Sequence, residues 1–432
     1  MRAVDLIQKK KDGFEHTKEE INFLVENYTK GLIEDYQMSA WLMAVCFQGM
    51  TDEETAYLTE AFVNSGDILD FSSISDCIAD KHSTGGVGDK VTIALIPILA
   101  TLGVYTAKLS GRGLGFTGGT IDKLESIPNF RCELSNEEFY NQIKDIKVAI
   151  SSQSPNLTPA DGKIYALRDV TATVDNKSLI CASVVSKKIA SGANSIVLDV
   201  KCGSGAFLKT PQEAQELSEL MIKTGKLLNR NIDVVISSME QPLGFNIGNS
   251  LEVIECIEFL KGKYSDDLYE ITLALAYKTL LNCNKAKDFN EAKEMFDKVI
   301  EDGSALNKLR EIIIAQGGNP NVIEDYSLFA IGKNKVQIKT DNSGYVSSLV
   351  ALEVAHSAKL LGAGRDKKTD PINYGAGISL KKKVGDFAYV DDVVMELYFD
   401  EISEDKLKQA IEIAKKSFKI SSQKVEKLQL IF

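Results

Sequence analysis

None of the seven cysteines belongs to a Cys-x-x-Cys pair: Cys46, Cys77, Cys132, Cys181, Cys202, Cys256 and Cys283 stand singly. An odd count without motif spacing argues for reduced thiols and against a disulfide frame or a zinc site. Basic charge is also in deficit. The 50 Lys and Arg are outnumbered by 61 Asp and Glu, for a net charge of −11. That balance argues against a nucleic-acid partner, which requires a basic face. Long apolar runs are missing too: the longest, Val91 to Val104, is uncharged but too short to span a bilayer and contains Pro97. The first residues show no signal-peptide pattern, because Arg2 and Asp5 bracket a few apolar residues and Lys9 to Lys11 follow at once. There is no internal repeat and no low-complexity tract. The expectation is a soluble, cytoplasmic protein with no membrane partner. Its 432 residues at 44% apolar content suffice for more than one domain.

What is present concentrates between Asp80 and Glu125. Asp80-Lys-His-Ser-Thr-Gly-Gly-Val-Gly-Asp-Lys90 and Lys108-Leu-Ser-Gly-Arg-Gly-Leu-Gly-Phe-Thr-Gly-Gly-Thr120 lie at the two ends of one apolar segment. Glycine lets a backbone approach a ligand and turn its N–H groups inward, so such loops cradle anions. Lys81, Ser83, Lys108, Ser110 and Thr120 add the cations and hydroxyls a phosphate needs. The first loop is not a Walker A motif, since Asp89 separates Gly88 from Lys90 and the four-residue glycine spacing is missing. One glycine loop alone is often only a tight turn; two with cations around one short segment point to a phosphate site. His82, one of three histidines with His16 and His356, sits inside the first loop. Neighbouring cations disfavour its charged form and a bound dianion favours it.

Residues 1 to about 68 read as helical. Thr17-Lys-Glu-Glu20 and Thr51-Asp-Glu-Glu54 fit capping boxes, and an apolar pattern runs through Leu32, Tyr36, Met43 and Phe47. Trp41 is most simply core. From about 69 the texture is α/β, with strands expected at Thr106–Leu109, Val148–Ser151, Ser195–Val200 and Val234–Ser238. A helical insertion over 158–192 interrupts it. Thr158-Pro-Ala-Asp161 supplies a hydroxyl cap, proline at the first position and an acid in the first turn, and Tyr165 and Arg168 share a face of the helix that follows. The next helix, ended by Gly192, aligns Ile180, Ser183 and Lys187. On periodicity alone those residues are an ordinary exposed face. Residues 240 to 330 continue helical, and from about Lys335 short strands appear, with a turn at Lys381-Lys-Lys-Val-Gly-Asp386 and a last helix near Ser403. That turn is superficially like a lipoyl hairpin but lacks a lysine at its tip between acidic and apolar flanks.

Ser110-Gly-Arg-Gly-Leu-Gly-Phe-Thr-Gly-Gly-Thr-Ile-Asp-Lys-Leu-Glu125 resembles the signature of the thymidine and pyrimidine-nucleoside phosphorylase family. The stretches Asp80 to Asp89, Leu157 to Asp161, Tyr165 to Thr173, Ser186 to Ala190, Val197 to Lys201, Gln241 to Gly244 and Leu360 to Arg365 resemble it as well. The likeness covers essentially the whole chain in order. It implies multiple domains of α/β and α+β class: a small helical domain (1–68, completed by 158–192), a larger α/β domain with a mixed sheet (69–157 and 193–330), and a C-terminal α+β domain (331–432). It implies a homodimer, with the N-terminal helices as the candidate interface, and a cleft that closes.

The resemblance assigns phosphate to Lys81, Ser83, Thr92, Lys108, Ser110 and Thr120. It assigns the pyrimidine to Arg168, Ser183 and Lys187, with Tyr165, Ile180, Leu114 and Phe207 shaping the pocket. His82, Arg168 and Lys187 would act on the departing base. The implied activity is nucleoside salvage by reversible phosphorolysis of thymidine, uridine or deoxyuridine, a glycosyl transfer with phosphate as co-substrate and no organic cofactor. A potassium ion, where bound, would map to Gly88, Leu243, Asn246 and Glu255. Two positions depart from the family pattern: Phe116 replaces a histidine and Lys90 a hydroxyl residue. The Lys90 ammonium is therefore expected to sit at the cation position and pair with Glu255, unless it points to solvent. The alternatives are an anthranilate-type phosphoribosyltransferase using phosphoribosyl pyrophosphate and magnesium, and a non-catalytic nucleoside-binding protein.

Overall fold

The computed structural model describes residues 1–113, 118–365, 367 and 370–432. Four helices come first, α1 (Ala3–Lys11), α2 (Lys18–Thr29), α3 (Asp35–Gln48) and α4 (Asp52–Val63). Then follow β1 (Ile78–Ser83), α5 (Val91–Thr101), β2 (Tyr105–Ser110), α6 (Thr120–Leu124), α7 (Asn136–Ile146) and β3 (Val148–Ser152). The middle of the chain forms α8 (Pro159–Asp169), α9 (Lys177–Ala190), β4 (Ser195–Cys202), α10 (Pro211–Leu227), β5 (Asn231–Ser238) and β6 (Asn246–Gly248). Helices α11 (Ser250–Leu260), α12 (Asp266–Asn282), α13 (Phe289–Glu301) and α14 (Ser304–Ala315) precede β7 (Asn334–Lys339) and β8 (Gly344–Leu349). The chain ends with α15 (Ala351–Leu360), β9 (Gly377–Leu380), β10 (Phe387–Ala388), β11 (Val393–Phe399), α16 (Glu404–Lys416) and β12 (Phe418–Ser421). Two compact units result: Met1–Asp80 with Gln153–Ile196 and Gln215–Val234, and Lys81–Ser152 with Val197–Ala214 and Val235–Phe432.

The first unit is helical. Both expected capping boxes form, at Thr17 with Glu20 and at Thr51 with Glu54. Its core joins Leu24, Tyr28, Met38, Trp41, Leu42, Leu58 and Phe62 to Ala160, Ile164, Leu179 and Ala182, so the insertion helices α8 and α9 supply part of the packing. Trp41 is core as expected. The apolar pattern read through Leu32, Tyr36, Met43 and Phe47 is corrected: Leu32, before α3, and Tyr36 and Phe47 within it are exposed, Met43 is half-buried, and Met38, Trp41, Leu42 and Val45 face inward. Both stripes have helical spacing, and only packing separates them. Thr158 precedes α8 with Pro159 at the first position, but its side chain makes no capping hydrogen bond because its backbone sits at φ −145°, ψ 67°.

The second unit holds a buried helix and most of the sheets. Every residue of α5 from Val91 to Ala100 is buried, Pro97 included. Helices α11, α12 and α14 pack on α5. The five-stranded sheet has the order β3-β2-β1-β4-β5. β2 and β3 pair in parallel from Thr106 with Val148 to Ser110 with Ser152, and the chain end bridges antiparallel to β5, Ile431 with Ser237. Helical crossovers return the chain in the same direction between β2 and β3, and the remaining antiparallel strands form two further sheets, β10-β8-β12 and β6-β9-β11-β7. Five cysteines are free thiols, whereas Cys77 and Cys283 are not, which corrects the expectation of a wholly reduced set. Among the described residues no helix is long and apolar enough to cross a membrane.

Candidate functional site

The phosphate candidates belong to the second unit and gather at the ends of two adjacent strands. β1 escaped the sequence reading because Asp80-Lys-His-Ser looks like a polar loop, yet Ile78 to Lys81 are buried. Ser83 ends β1 and Ser110 ends the neighbouring β2, so both glycine loops leave from adjacent strand ends. Lys108 Nζ donates to the Lys81 carbonyl at 2.6 Å. Thr92 lies in the first turn of α5 and Thr120 opens α6. Gly85 and Gly88 take φ values of 91° and 72°, a left-handed conformation that favours glycine. Asp122 ties the second loop together, accepting from the Gly113 and Gly119 N–H groups at 2.6 and 2.9 Å. Its other oxygen meets the Arg365 guanidinium at 2.8 Å. Leu114 and Phe116 lie outside the described residues. His82 is half-buried near the end of β1.

Lys81 is only 2% exposed, and a buried ammonium requires charge partners. Its Nζ lies 3.2 Å from Asp199 Oδ2 and 3.8 Å from Asp89 Oδ1. Asp199 is shared: Lys201 Nζ approaches at 2.9 Å and the Ser237 hydroxyl donates at 2.6 Å. Burial would raise the Asp89 pKa, but the charges of Lys81, Lys201 and Lys123 and a Ser83 hydrogen bond outweigh it and hold it below the ordinary carboxylate range. Sequence reasoning gave no role to Asp89, Asp199 or Lys201. Charges at alternate positions of β4 in an apolar frame, Asp199 and Lys201, were the available signal.

The base candidates Arg168, Ser183, Lys187, Tyr165 and Ile180 belong to the first unit, and Phe207, half-exposed in the loop after β4, to the second. Lys187 Nζ donates to the Ser183 hydroxyl at 2.9 Å and carbonyl at 3.2 Å, and pairs with Asp161. Asp161 is buried at the start of α8; it reads as a helix-start acid, and its second task as partner of Lys187 was missed. Arg168 is not the exposed guanidinium a helix-face reading suggests. At 1% exposure it donates through Nε, Nη1 and Nη2 to the carbonyls of Thr173, Leu179 and Val174 at 3.1, 3.1 and 2.7 Å. Burial lowers its pKa, with Asp161 and Tyr165 opposing. The Tyr165 ring, 40% exposed, lies 5.7 Å from the guanidinium carbon.

Lys90 does not point to solvent. Its Nζ donates to Leu243 O at 2.7 Å, Asn246 O at 2.8 Å and Glu255 Oε2 at 2.8 Å. Three of the four residues assigned to potassium therefore hold an ammonium. The fourth, Gly88, packs beside them, and a Cβ there would lie 2.6 Å from Leu243 O. Burial would lower the Lys90 pKa, but Glu255 and Glu252 raise it overall. With Lys90 in place these oxygens do not fit a metal ion.

Family models match along the chain: a glycosyl transferase family helical bundle domain at residues 4–66, the a/b domain of that family at 75–306, and a pyrimidine nucleoside phosphorylase C-terminal domain at 345–421. The pyrimidine-nucleoside phosphorylase of Geobacillus stearothermophilus is 48% identical over 432 residues, 100% of this chain and 99% of its own. That of Bacillus subtilis strain 168 is 49% identical over 398 residues, 92% of each chain. The fold is shared with anthranilate phosphoribosyltransferase from Thermus thermophilus at a TM-score of 0.59 and 17% identity, covering 72% of this chain and 99% of that one.

Proposed function

The chain belongs to the pyrimidine-nucleoside phosphorylase family of glycosyltransferases, and from that membership we propose that it catalyses reversible phosphorolysis of thymidine, uridine and deoxyuridine. The observation that carries the reading is full-length likeness, at 48% identity, to an enzyme of that name. A phosphate oxygen bonds to sugar C1′ as the bond from C1′ to the pyrimidine nitrogen breaks. The electron pair leaves with the base, and the proton that entered on phosphate ends on it. Lys81, Ser83, Thr92, Lys108, Ser110 and Thr120 hold the phosphate in line. Lys187, oriented by Asp161 and Ser183, and Arg168 stabilise the negative charge growing on the base. His82 relays that proton, giving one to the departing pyrimidine oxygen and taking the phosphate proton in its place.

Lys90 supplies from within the chain the positive charge that a monovalent cation would bring, so potassium is unnecessary. The protein works in the cytoplasm as a homodimer; Leu32, Tyr36 and Phe47, each more than 70% exposed, supply an apolar interface stripe. Release of free base from the three nucleosides, with and without phosphate, tests the activity. Phosphate-dependent release is the expected result, and no release from any of them by folded protein overturns the proposal.

A further inference from the structure

The Lys381-Lys-Lys-Val-Gly-Asp386 turn has no place in the chemistry above, and of the stretch Gln241-Pro-Leu-Gly244 only Leu243 has one. They meet. Lys383, 8% exposed, donates from Nζ to the carbonyls of Pro242 and Gly244 at 3.1 and 3.0 Å and pairs with Asp267 at the start of α12. Asp267 also accepts from the Gly244 N–H at 3.1 Å, and the Gln241 side-chain oxygen accepts from the Val384 N–H at 3.0 Å. The carbonyls of Leu243 and Asn246 are held instead by Lys90. Six residues, 241–246, thus wrap two buried ammonium groups, each balanced by one carboxylate.

This strap touches the first glycine loop directly. The Leu243 N–H donates to the Val87 carbonyl at 3.0 Å, and Gly88 packs against the Leu243 carbonyl too closely for any side chain. Val87 and Gly88 lie between Ser83 and Thr92, both assigned to phosphate. A carbonyl that loses its ammonium must turn to find another donor. Pro242 and Gly244 flank Leu243, so turning them displaces the residue that braces the loop.

We propose that Lys383, paired with Asp267, is a positioning residue that fixes the strap 241–246 and through it the phosphate-binding loop; this rests on the phosphorylase reading. Lys383 belongs to the C-terminal region, which thereby takes part in phosphate binding without touching the ligand. The carboxylate supports the assignment, since burial would raise the Asp267 pKa whereas Lys383 lowers it overall.

The test compares the wild-type chain with Lys383→Met and with Lys383→Arg, which keeps the charge but changes its geometry. The readouts are KM for phosphate and for uridine, and the rise in melting temperature produced by inorganic phosphate alone. Lys383→Met is expected to raise the phosphate KM about tenfold or more with the uridine KM within about twofold, and to shrink the phosphate-induced rise in melting temperature. If Lys383→Met does not fold, Lys383→Arg carries the test and is expected to raise the phosphate KM severalfold. Unchanged phosphate KM, or equal changes in both KM values, overturns the proposal. A wild-type protein that phosphate stabilises but that releases no base sinks the phosphorylase reading alone, and the positioning role is then read from the thermal shift. No phosphate response in the wild type overturns both.

Discussion

Lys187 is held at both ends of its reach, by the Ser183 hydroxyl and by Asp161. Replacing it with Met removes a cation that acts on the leaving base, so kcat is expected to fall on the order of 10²–10³-fold, as when one preorganised charge stabiliser is lost. Asp161→Asn leaves the lysine but loosens its aim, and a smaller loss with the same pH optimum is expected; pH–rate profiles of both variants check this. Lys90 is the second residue whose setting makes a measurable difference. Base release is expected at the same rate in potassium as in choline salts, and strong potassium dependence would refute the substitution of ammonium for metal. Lys90→Met leaves Glu255 buried without its partner, which is expected to cost about 3–5 kcal/mol by denaturant unfolding.

At the scale of elements, the β1–α5 loop depends on backbone that side chains cannot occupy. Gly88 combines φ of 72° with a neighbouring carbonyl 2.6 Å from where a Cβ would stand. Gly88→Ala therefore meets both left-handed strain and a clash with backbone. It is expected to destabilise the chain by more than the roughly 1 kcal/mol of the strain alone and to weaken phosphate binding. Gly85→Ala, where nothing lies within 4 Å, carries only the strain and serves as the comparison in thermal unfolding. Helix α3 makes the opposite point: its inner stripe is fixed by packing, while Tyr36 and Phe47 on its outer side, with Leu32 just before the helix, are exposed. Tyr36→Asp combined with Phe47→Asp is expected to move the sedimenting species from dimer to monomer mass without unfolding it.

At the scale of the whole molecule, stability is expected to fall on the acid side because of His16 in the helical unit. Trp41 Nε1–H donates to His16 Nε2 at 3.0 Å, and Glu20 lies 3.5 Å from Nδ1. Burial first, and then the charge of Lys10, lower the His16 pKa, against opposing contributions from Glu20 and Glu54. The neutral ring is the folded form, so its contribution is present above the unfolded value near 6.5 and is lost as pH falls below it. Melting temperatures measured from pH 8 to 5 should decline through that window, and His16→Gln should flatten the decline relative to wild type.

Local signals settled much of this chain in advance. The capping boxes at Thr17 and Thr51, strands β2 to β5, the helical insertion and the two glycine loops each follow from a few adjacent residues whose backbone preferences decide their conformation. The partner of Lys90 was legible too, because the ammonium stands where a hydroxyl is expected and Glu255 was already implicated. The rest is decided by tertiary packing. Strand β1 hides behind its charges Asp80 and Lys81, whose partners Lys188 and Asp199 lie more than a hundred residues away. The choice between two helical stripes of α3, the withdrawal of Arg168 onto three carbonyls, and the meeting of Lys383 with Pro242 and Gly244 depend on which distant segments fold together. A sequence states the charge it carries and the turn it prefers; which buried oxygen meets a given ammonium is fixed only when long-range packing brings the two within about 3 Å.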